Sequence, residues 1–528
     1  MCNFFYFILI LAFALNDEIK FTGAAYCNGK PSPSAQPNLK PIIDQKPTFI
    51  KEIKNAKLYK IGTDDDSIKI VHLWGTPYEM GFAHGSIVKQ ELTGLIEAFW
   101  KYMESEIISG INGTTKGFFR PDFLERVADL GLDVALDIEN TITERYTGRY
   151  FHDEIKGMSD ATGIEEKKFR RIHLIGELTK GSCSMFGAWG AALPNSEGLL
   201  QLRALDWVVD GGLQNFPEIT VYHPNKNEQN GHDFANIGWS GWIGSIQGYS
   251  SAKLAISEIG VSYPDESFGK ESRFGTPFTY ALRDILQFDN TFYDAYNRLT
   301  NGKRTCDLIL GVGDGKINKF NSVQYSASVA NFMNDTTLKP EGDWHPKIKD
   351  VVYHGMDWLC PSFNEVMAAQ ISKFYGNLTA QNAIREVTSI VQTGSLLVTY
   401  YDFNNDVIYT ANARGDIEEG PRNAYDRRDF IIKPVEELSE TTKGSRNSQA
   451  SSSNSQPTTP KTPPTRKRLA SVDLNVDSTP SKKMDTKKDK KNCQITCISS
   501  KKYCCGTCCK EEKNIALCQK YFEDGKKL

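Results

Sequence analysis

Cys183 follows two small residues, Gly181 and Ser182, and opens the run CSMFGAWGAA; a Pro194-to-Gly198 turn then leads into LLQLRALDW, which carries Arg203 and Asp206. Apolar runs on either side of such a turn predict a hairpin. A turn centred on Asn195 and Ser196 predicts Cys183 opposite residues 206–208, with Arg203 slightly further in. Residues three apart on a regular strand face opposite ways, so for both Arg203 and Asp206 to serve the thiol the strand must bulge or end near Leu205. A neighbouring guanidinium favours the thiolate. The base is missing, since no histidine lies between His173 and His223. Scission of the Ser182–Cys183 bond would supply one: an α-amine, of ordinary pKa about 7.7–8.0, on the same residue as the thiol. Asp206 can then hold that amine by accepting its hydrogen bonds. Two plainer readings stand beside this one, a cysteine that is a small buried hydrophobe and an Arg203–Asp206 pair that is purely structural. A papain-like pairing of Cys183 with His354 would leave Arg203 and Asp206 without a role.

The elements that must position this hairpin are legible in outline. Residues 57–73 read as one or two strands, and Thr76, Pro77 and Glu79 then form a capping box that opens a long helix. Gly81 and Gly85 lie on one face of that helix, where each costs about 1 kcal/mol against Ala, which predicts a close-packed neighbour. Amphipathic helices are predicted over 122–141 and 165–179, and further helices near 277–286 and 364–374. After Cys183 the sequence turns β-rich, with a hairpin about Asn404-Asn405-Asp406 and a turn at Gly311–Gly315, a stretch too short for a phosphate loop. Strands and helices grouped in blocks predict a layered α+β domain rather than a βαβ sheet.

A net charge of −3 over 528 residues argues against wholesale nucleic-acid binding. Residues 4–15 are almost wholly apolar, a length that suits a secretion signal over 1–25 rather than a bilayer span. Sequons at Asn112, Asn334 and Asn377 agree with entry into the secretory pathway. Past the signal, the part up to residue 437 holds Cys27, Cys183, Cys306 and Cys360, too few for a disulfide framework, so packing must hold the core. Residues 26–182 are expected to form a mainly helical light chain and 183–437 the catalytic heavy chain. Residues 438–492, rich in Ser, Thr, Pro and Lys, are predicted to be a disordered linker. Seven cysteines crowd residues 493–528, a tail to which the sequence assigns no role.

Cys183 with Arg203-Ala-Leu-Asp206-Trp207 resembles the nucleophile and R-x-x-D motif of the cysteine N-terminal-nucleophile amidases, the group of acid ceramidase, N-acylethanolamine acid amidase, bile salt hydrolase and isopenicillin N acyltransferase. The stretch from Gly238 to Ile256 is similar to the one that follows the same hairpin in acid ceramidase, and Gly75–Gly85 to the light-chain helix of the acyltransferase branch. The resemblance covers residues 57–414 and implies a four-layer αββα fold, self-cleavage before Cys183, and hydrolysis of the amide of an N-acyl lipid in a lysosomal or extracellular setting. It implies no cofactor and no metal, and as partners the lipid itself, a saposin-type activator or membrane surface, and the light and heavy chains of one precursor. Where acid ceramidase places its oxyanion-hole Asn, this chain has His354, in YHGMDW, and a later arginine of that family has no clear equivalent. An imidazole N–H can take the Asn's role. Trp239 and Trp242 either line an acyl-chain groove or sit in the core. Two further readings keep the fold: an acyltransferase or phospholipase B-like esterase, and a silent secreted binding protein.

Overall fold

The computed structural model describes residues 28–413 except 43–44, 63–66, 113–118, 120, 179–181, 208, 226–230, 262–263, 340–344 and 356–361, and the backbones of 431–434, 496–498 and 501–503. The expected signal segment, the linker and most of the cysteine-rich tail lie outside these residues. The chain divides into a unit spanning Met1–Glu440 and a second spanning Thr441–Leu528. In the second, Thr496–Ile498 pairs antiparallel with Lys501–Tyr503.

The first unit opens as a meander of β1 (Thr48–Ile53), β2 (Ala56–Ile61) and β3 (Ile68–Gly75). Six helices follow: α1 (Pro77–Ile87), α2 (Lys89–Ile111), α3 (Pro121–Leu130), α4 (Leu132–Glu144), α5 (Arg149–Thr162) and α6 (Glu166–Leu178). The capping box is present, Thr76 Oγ1 accepting from Glu79 N at 3.2 Å and Glu79 Oε2 from Thr76 N at 3.0 Å. The single long helix expected behind it is two, because β-branched Val88 leaves helical geometry at φ −123°. The helix expected over 122–141 is likewise split, at Gly131, whose φ of 83° suits glycine. Helix α5 was not expected from the sequence, and it is the neighbour that Gly81 and Gly85 require. A methyl at Gly81 would collide with the Glu154 carbonyl, and one at Gly157 with the Tyr78 carbonyl, so α1 and α5 meet backbone to backbone.

Beyond α6 run β4 (Ser182–Trp189), β5 (Leu199–Asp206), β6 (Pro217–Pro224), β7 (Phe234–Trp239), β8 (Gly248–Ser250) and β9 (Leu254–Gly260). Helices α7 (Phe278–Phe288) and α8 (Phe292–Asn301) precede β10 (Asp307–Asp314), β11 (Lys319–Ser326), β12 (Ala330–Met333) and β13 (Val351–Gly355). Then come α9 (Phe363–Lys373), a helical stretch over 380–391, β14 (Leu397–Asp402), β15 (Val407–Asn412) and β16 (Ile431–Pro434). Among the described residues the larger sheet runs β1-β2-β3-β6-β7-β8-β9-β10-β11-β12 and the smaller β13-β4-β5-β14-β15-β16. Their pairings are antiparallel except β3 with β6.

The sheets pack face to face. Gln201 Nε2 donates to Ser257 Oγ across the gap at 2.8 Å, and glycines at 187 and 311 make room for Phe320 and Met185. The Gly311–Gly315 stretch is therefore mostly strand β10 rather than a turn, its glycines admitting side chains of the opposite sheet. On the outer face of the smaller sheet, Phe186, Leu202 and Tyr400 share a core with Phe363, Met367 and Val387 of the helices that cover it. On the outer face of the larger sheet, His84 of α1 reaches Glu218 of β6 at 2.6 Å. Helices on both outer faces of two packed sheets make the expected α+β, four-layer αββα sandwich. Among the described residues no helix is long and apolar enough to cross a membrane.

Gly157→Ala is expected to lower stability by about 1–3 kcal/mol in urea unfolding, although Ala gains about 1 kcal/mol in helix propensity, because the added methyl must push α5 off α1. An unchanged or higher midpoint would mean that these helices do not touch through their backbones.

Candidate active site

The β4–β5 hairpin turns at Asn195 and Ser196, each at φ 58°. Its register pairs Ser182 with Asp206, Cys183 with Leu205 and Met185 with Arg203. Cys183 thus lies one residue short of its expected partner, and it is Ser182, on the other side of the prospective scissile bond, that pairs with Asp206. No bulge is needed, because β5 ends at Asp206. Arg203 and Asp206 point to opposite faces, as strand alternation demands, and of the two side chains it is Arg203 that shares the face of the thiol.

Arg203 turns into the gap between the sheets, where it is fully buried. Its Nη2 lies 3.8 Å from Cys183 Sγ and 3.0 Å from Glu258 Oε2, while Nε donates to the Glu258 carbonyl at 3.0 Å. Nη1 has no hydrogen-bond partner among the described residues. Glu258 lies on β9, in the opposite sheet, and burial raises its carboxyl above the ordinary range against the pull of Arg203. The Cys183 thiol, 4 % exposed, is pushed up to about 12, first by burial and then by the charges of Glu258 and Asp206. Arg203 and the Asp206 backbone N–H oppose that rise without overcoming it. In the uncut chain the sulfur is therefore a protonated thiol, and Arg203 alone does not make a nucleophile of it.

Asp206 faces the other way and is held by the loop before β14. Gly394 N and Ser395 N donate to Oδ1 at 2.9 and 3.0 Å, and the Thr393 hydroxyl donates to Oδ2 at 2.8 Å. Thr393 Oγ1 also lies 2.7 Å from Ser184 Oγ, which can donate to it. Ser395 Oγ closes the loop, accepting from Trp207 N at 2.9 Å and donating to Trp207 O at 2.8 Å. Gly394 has φ 85°, and a side chain there would strike Val398, so the position takes only glycine. Backbone and hydroxyl donors of this kind stabilise the ionised carboxylate and fix a negative charge beside the end of β5.

The other candidates fall elsewhere. His354 pairs with Met185 on β13 and is fully buried, with Nε2 2.9 Å from Ser322 Oγ. That nitrogen is turned to β11, and the register sets His354 on the sheet face that also carries Met185, Arg203 and Cys183. Trp239 and Trp242 are core residues, 3 % and 7 % exposed, meeting edge to face at 5.6 Å; Trp242 also packs on Phe99 and His173. Side chains of α2 and α6 thus cover Trp242. Asn112 and Asn377 are exposed, and Asn334 is half-buried with Oδ1 accepting from the backbone of Thr336 and Thr337. The sequence reading missed Glu258 and the Thr393–Ser395 loop. A charge inside the apolar run LAISEIG was the available signal for the first; Gly394 next to a strand was the only one for the second. It also missed Asn412, which continues the cross-strand row Cys183, Leu205, Leu397 and has neither amide atom paired among the described residues. Three strand spacings separate it from Cys183, about 14 Å, too far to act on the same carbonyl.

The chain is 38% identical over 386 residues to protein dcd1B of Dictyostelium discoideum, a match covering 71% of this chain and 74% of the relative. Protein dcd1A of the same organism is 35% identical over 384 residues, covering 70% and 84%. An uncharacterized protein of Archaeoglobus fulgidus is 22% identical over 264 residues, covering 47% and 41%. No protein-family model matches. Among solved structures, a Caenorhabditis elegans N-acylethanolamine-hydrolyzing acid amidase ortholog is similar at 14% identity and TM-score 0.31, covering 42% of this chain and 93% of that one. A variant of conjugated bile acid hydrolase from Clostridium perfringens is similar at 11% identity and TM-score 0.24, covering 48% and 85%.

In the uncut chain Cys183 is expected to react with a maleimide at neutral pH at least about tenfold more slowly than an exposed thiol, since both burial and protonation oppose attack. Peptide mass spectrometry of a labelling time course measures this. Rapid labelling of uncut protein would mean that the thiol is neither buried nor protonated.

Proposed function

The chain belongs to the family of the Dictyostelium discoideum proteins dcd1A and dcd1B, and we propose that it is a self-processing amidase that hydrolyses N-acyl lipids with Cys183 as an N-terminal nucleophile. The observation that carries this reading is the start of β4. Ser182 pairs with Asp206 and Cys183 sits 3.8 Å from Arg203, so scission between 182 and 183 leaves a free amine beside a caged carboxylate and a thiol beside a buried cation.

In the first step the Cys183 sulfur attacks the Ser182 carbonyl carbon. A C–S bond forms, the C–N bond breaks, and the thiol proton passes to the departing nitrogen, which becomes the Cys183 amine. Water then hydrolyses the thioester: its oxygen bonds to the Ser182 carbonyl carbon, the C–S bond breaks, and a Ser182 carboxyl and a free thiol result. Toward an external amide the uncut chain offers a buried, protonated thiol and no amine base; scission adds the amine and frees the end of β4. The amine takes the thiol proton, and the thiolate, favoured by Arg203, attacks the substrate amide. The protonated amine delivers its proton to the leaving nitrogen, and the thioester of the acyl group is hydrolysed by water that the amine deprotonates. Asp206 holds the amine, and Glu258 holds Arg203. Leu205 and Leu397, beside Cys183 in the same row, offer an apolar floor suited to an acyl chain.

Both fragments remain necessary after the cut. β3, from the first, pairs in parallel with β6 of the second, and buried pairs His84–Glu218 at 2.6 Å and Glu154–Arg283 at 2.7 Å join their helices and strands. The exposed sequon residues Asn112 and Asn377 suit a glycoprotein of the secretory pathway, lysosomal or extracellular, that meets its lipid at a membrane surface or on a saposin-type activator.

Mass spectrometry of the purified protein is expected to find a chain that begins at Cys183, and Cys183→Ala is expected to stay uncut. Asp206→Asn should lower kcat/KM by about 100-fold or more against the preferred substrate in a panel of ceramide, N-acylethanolamines and phospholipids. Full activity of an intact precursor would overturn the mechanism, and hydrolysis of the ester lipids alone would overturn the amidase assignment.

A further inference from the structure

The last turn of α6 ends in a grip that the mechanism above does not use. Glu177 is 2 % exposed, and its two carboxylate oxygens are divided between two segments from beyond the scission point. Oε1 accepts from Phe278 N at 2.6 Å, and Oε2 lies 3.0 Å from Cys306 Sγ, whose S–H donates to it. Helix α7 starts after Pro277 with no side-chain cap of its own, so its first N–H would be an orphan donor; the carboxylate of Glu177 caps it from another helix, where the N-terminal dipole favours negative charge. Cys306 takes part from a strained backbone, φ 60°, in the left-handed region that a cysteine rarely visits.

The two gripping segments are themselves tied together. Thr276 N donates to the Lys303 carbonyl at 2.9 Å and Thr305 Oγ1 to the Thr276 carbonyl at 3.2 Å. Gly176, next to Glu177, sits against the ring of Phe278, where a methyl would lie 3.3 Å from Cζ. The clamp is therefore a built cradle of two backbone segments and one thiol, closed on one carboxylate. It lies five residues before Ser182, which is fixed in turn by its pairing with Asp206.

We propose that Glu177 and Cys306 are positioning residues for self-cleavage: by pinning the end of α6 they hold the short segment up to Ser182 so that its carbonyl meets the Cys183 sulfur. This rests on the self-processing reading. The pairing of Ser182 with Asp206 sets its strand register, and the end of α6 sets the direction from which the chain enters that strand; a displacement of about 1 Å from attack geometry already slows such a reaction on the order of 100-fold. Neither residue touches the reacting atoms, so the clamp governs the rate of the cut and not the turnover of enzyme already cut.

The test follows the first-order conversion of freshly purified full-length precursor into two chains, together with the urea midpoint of the precursor and kcat/KM per mole of cut enzyme. Glu177→Gln keeps the volume and loses one acceptor, and Cys306→Ala removes the donor; each is expected to slow conversion at least about tenfold. Cys306→Ser, whose hydroxyl can still donate to Glu177, is expected to convert within about twofold of the parent. Cut enzyme from all three should keep kcat/KM within about twofold. Should Glu177→Gln misfold, Cys306→Ala against Cys306→Ser still decides. Conversion of both slowed variants at the parental rate, or slowing of Cys306→Ser equal to that of Cys306→Ala, overturns the clamp while leaving self-processing intact. A parent chain that never converts overturns self-processing itself, and the clamp falls with it.

Discussion

A guanidinium with no access to solvent must find its countercharge inside the protein, and Arg203 finds it on the opposite sheet. The Glu258 carboxylate and carbonyl accept two of its N–H groups, and the same side chain reaches the sulfur of Cys183. Removing one partner of such a buried pair costs about 3–5 kcal/mol, because the other is left charged and alone. The two sheets are thereby held in one register at the end where the thiol lies. The small residues of the interface, Gly187 and Gly311 among them, fit that register and no other, since each admits a particular side chain from across the gap.

The same burial keeps the thiol of the intact chain protonated. Two opposing influences act on Cys183, a cation that favours the thiolate and a dry surrounding that disfavours it, and the second prevails. On the self-processing reading proposed above, the sulfur would gain its amine base only once its own residue becomes a chain terminus, which would tie substrate turnover, though not the cut itself, to an irreversible event in the backbone. Asp206 belongs to a different face and a different network, the Thr393–Ser395 loop, so the negative and positive charges beside Cys183 are set by separate elements. An exchange of one can be felt without moving the other.

Much of this was legible in the amino-acid sequence where the information is local. The capping box at Thr76, the turn at Asn195 and the hairpin about Asn404 depend on a few adjacent residues, and each stands where it was expected. Gly81 and Gly85 announced a close neighbour but could not name it, because α5 is identified only by the packing of two backbones. Cys183, Arg203 and Asp206 were readable because one hairpin brings them together. Glu258 on β9 and the Thr393–Ser395 loop lie 75 and 210–212 residues beyond Cys183, and no spacing rule connects them to it. His354 was singled out by its place in the chain alone; the contact of its Nε2 with Ser322 of β11 is a long-range one that no local pattern announces.

If the chain is cut before Cys183 as proposed, the parallel seam between β3 and β6 bears on the life of the molecule afterwards. Before the cut, the strands that complete the larger sheet arrive on one chain and the sheet closes as an intramolecular event. Afterwards the same sheet would be shared by two polypeptides, and a molecule that came apart could be restored only by a second-order encounter whose rate falls with dilution. Folding and endurance would then be governed by different laws: the precursor would be built once at high effective concentration, and the cut protein would persist for as long as its two pieces failed to separate.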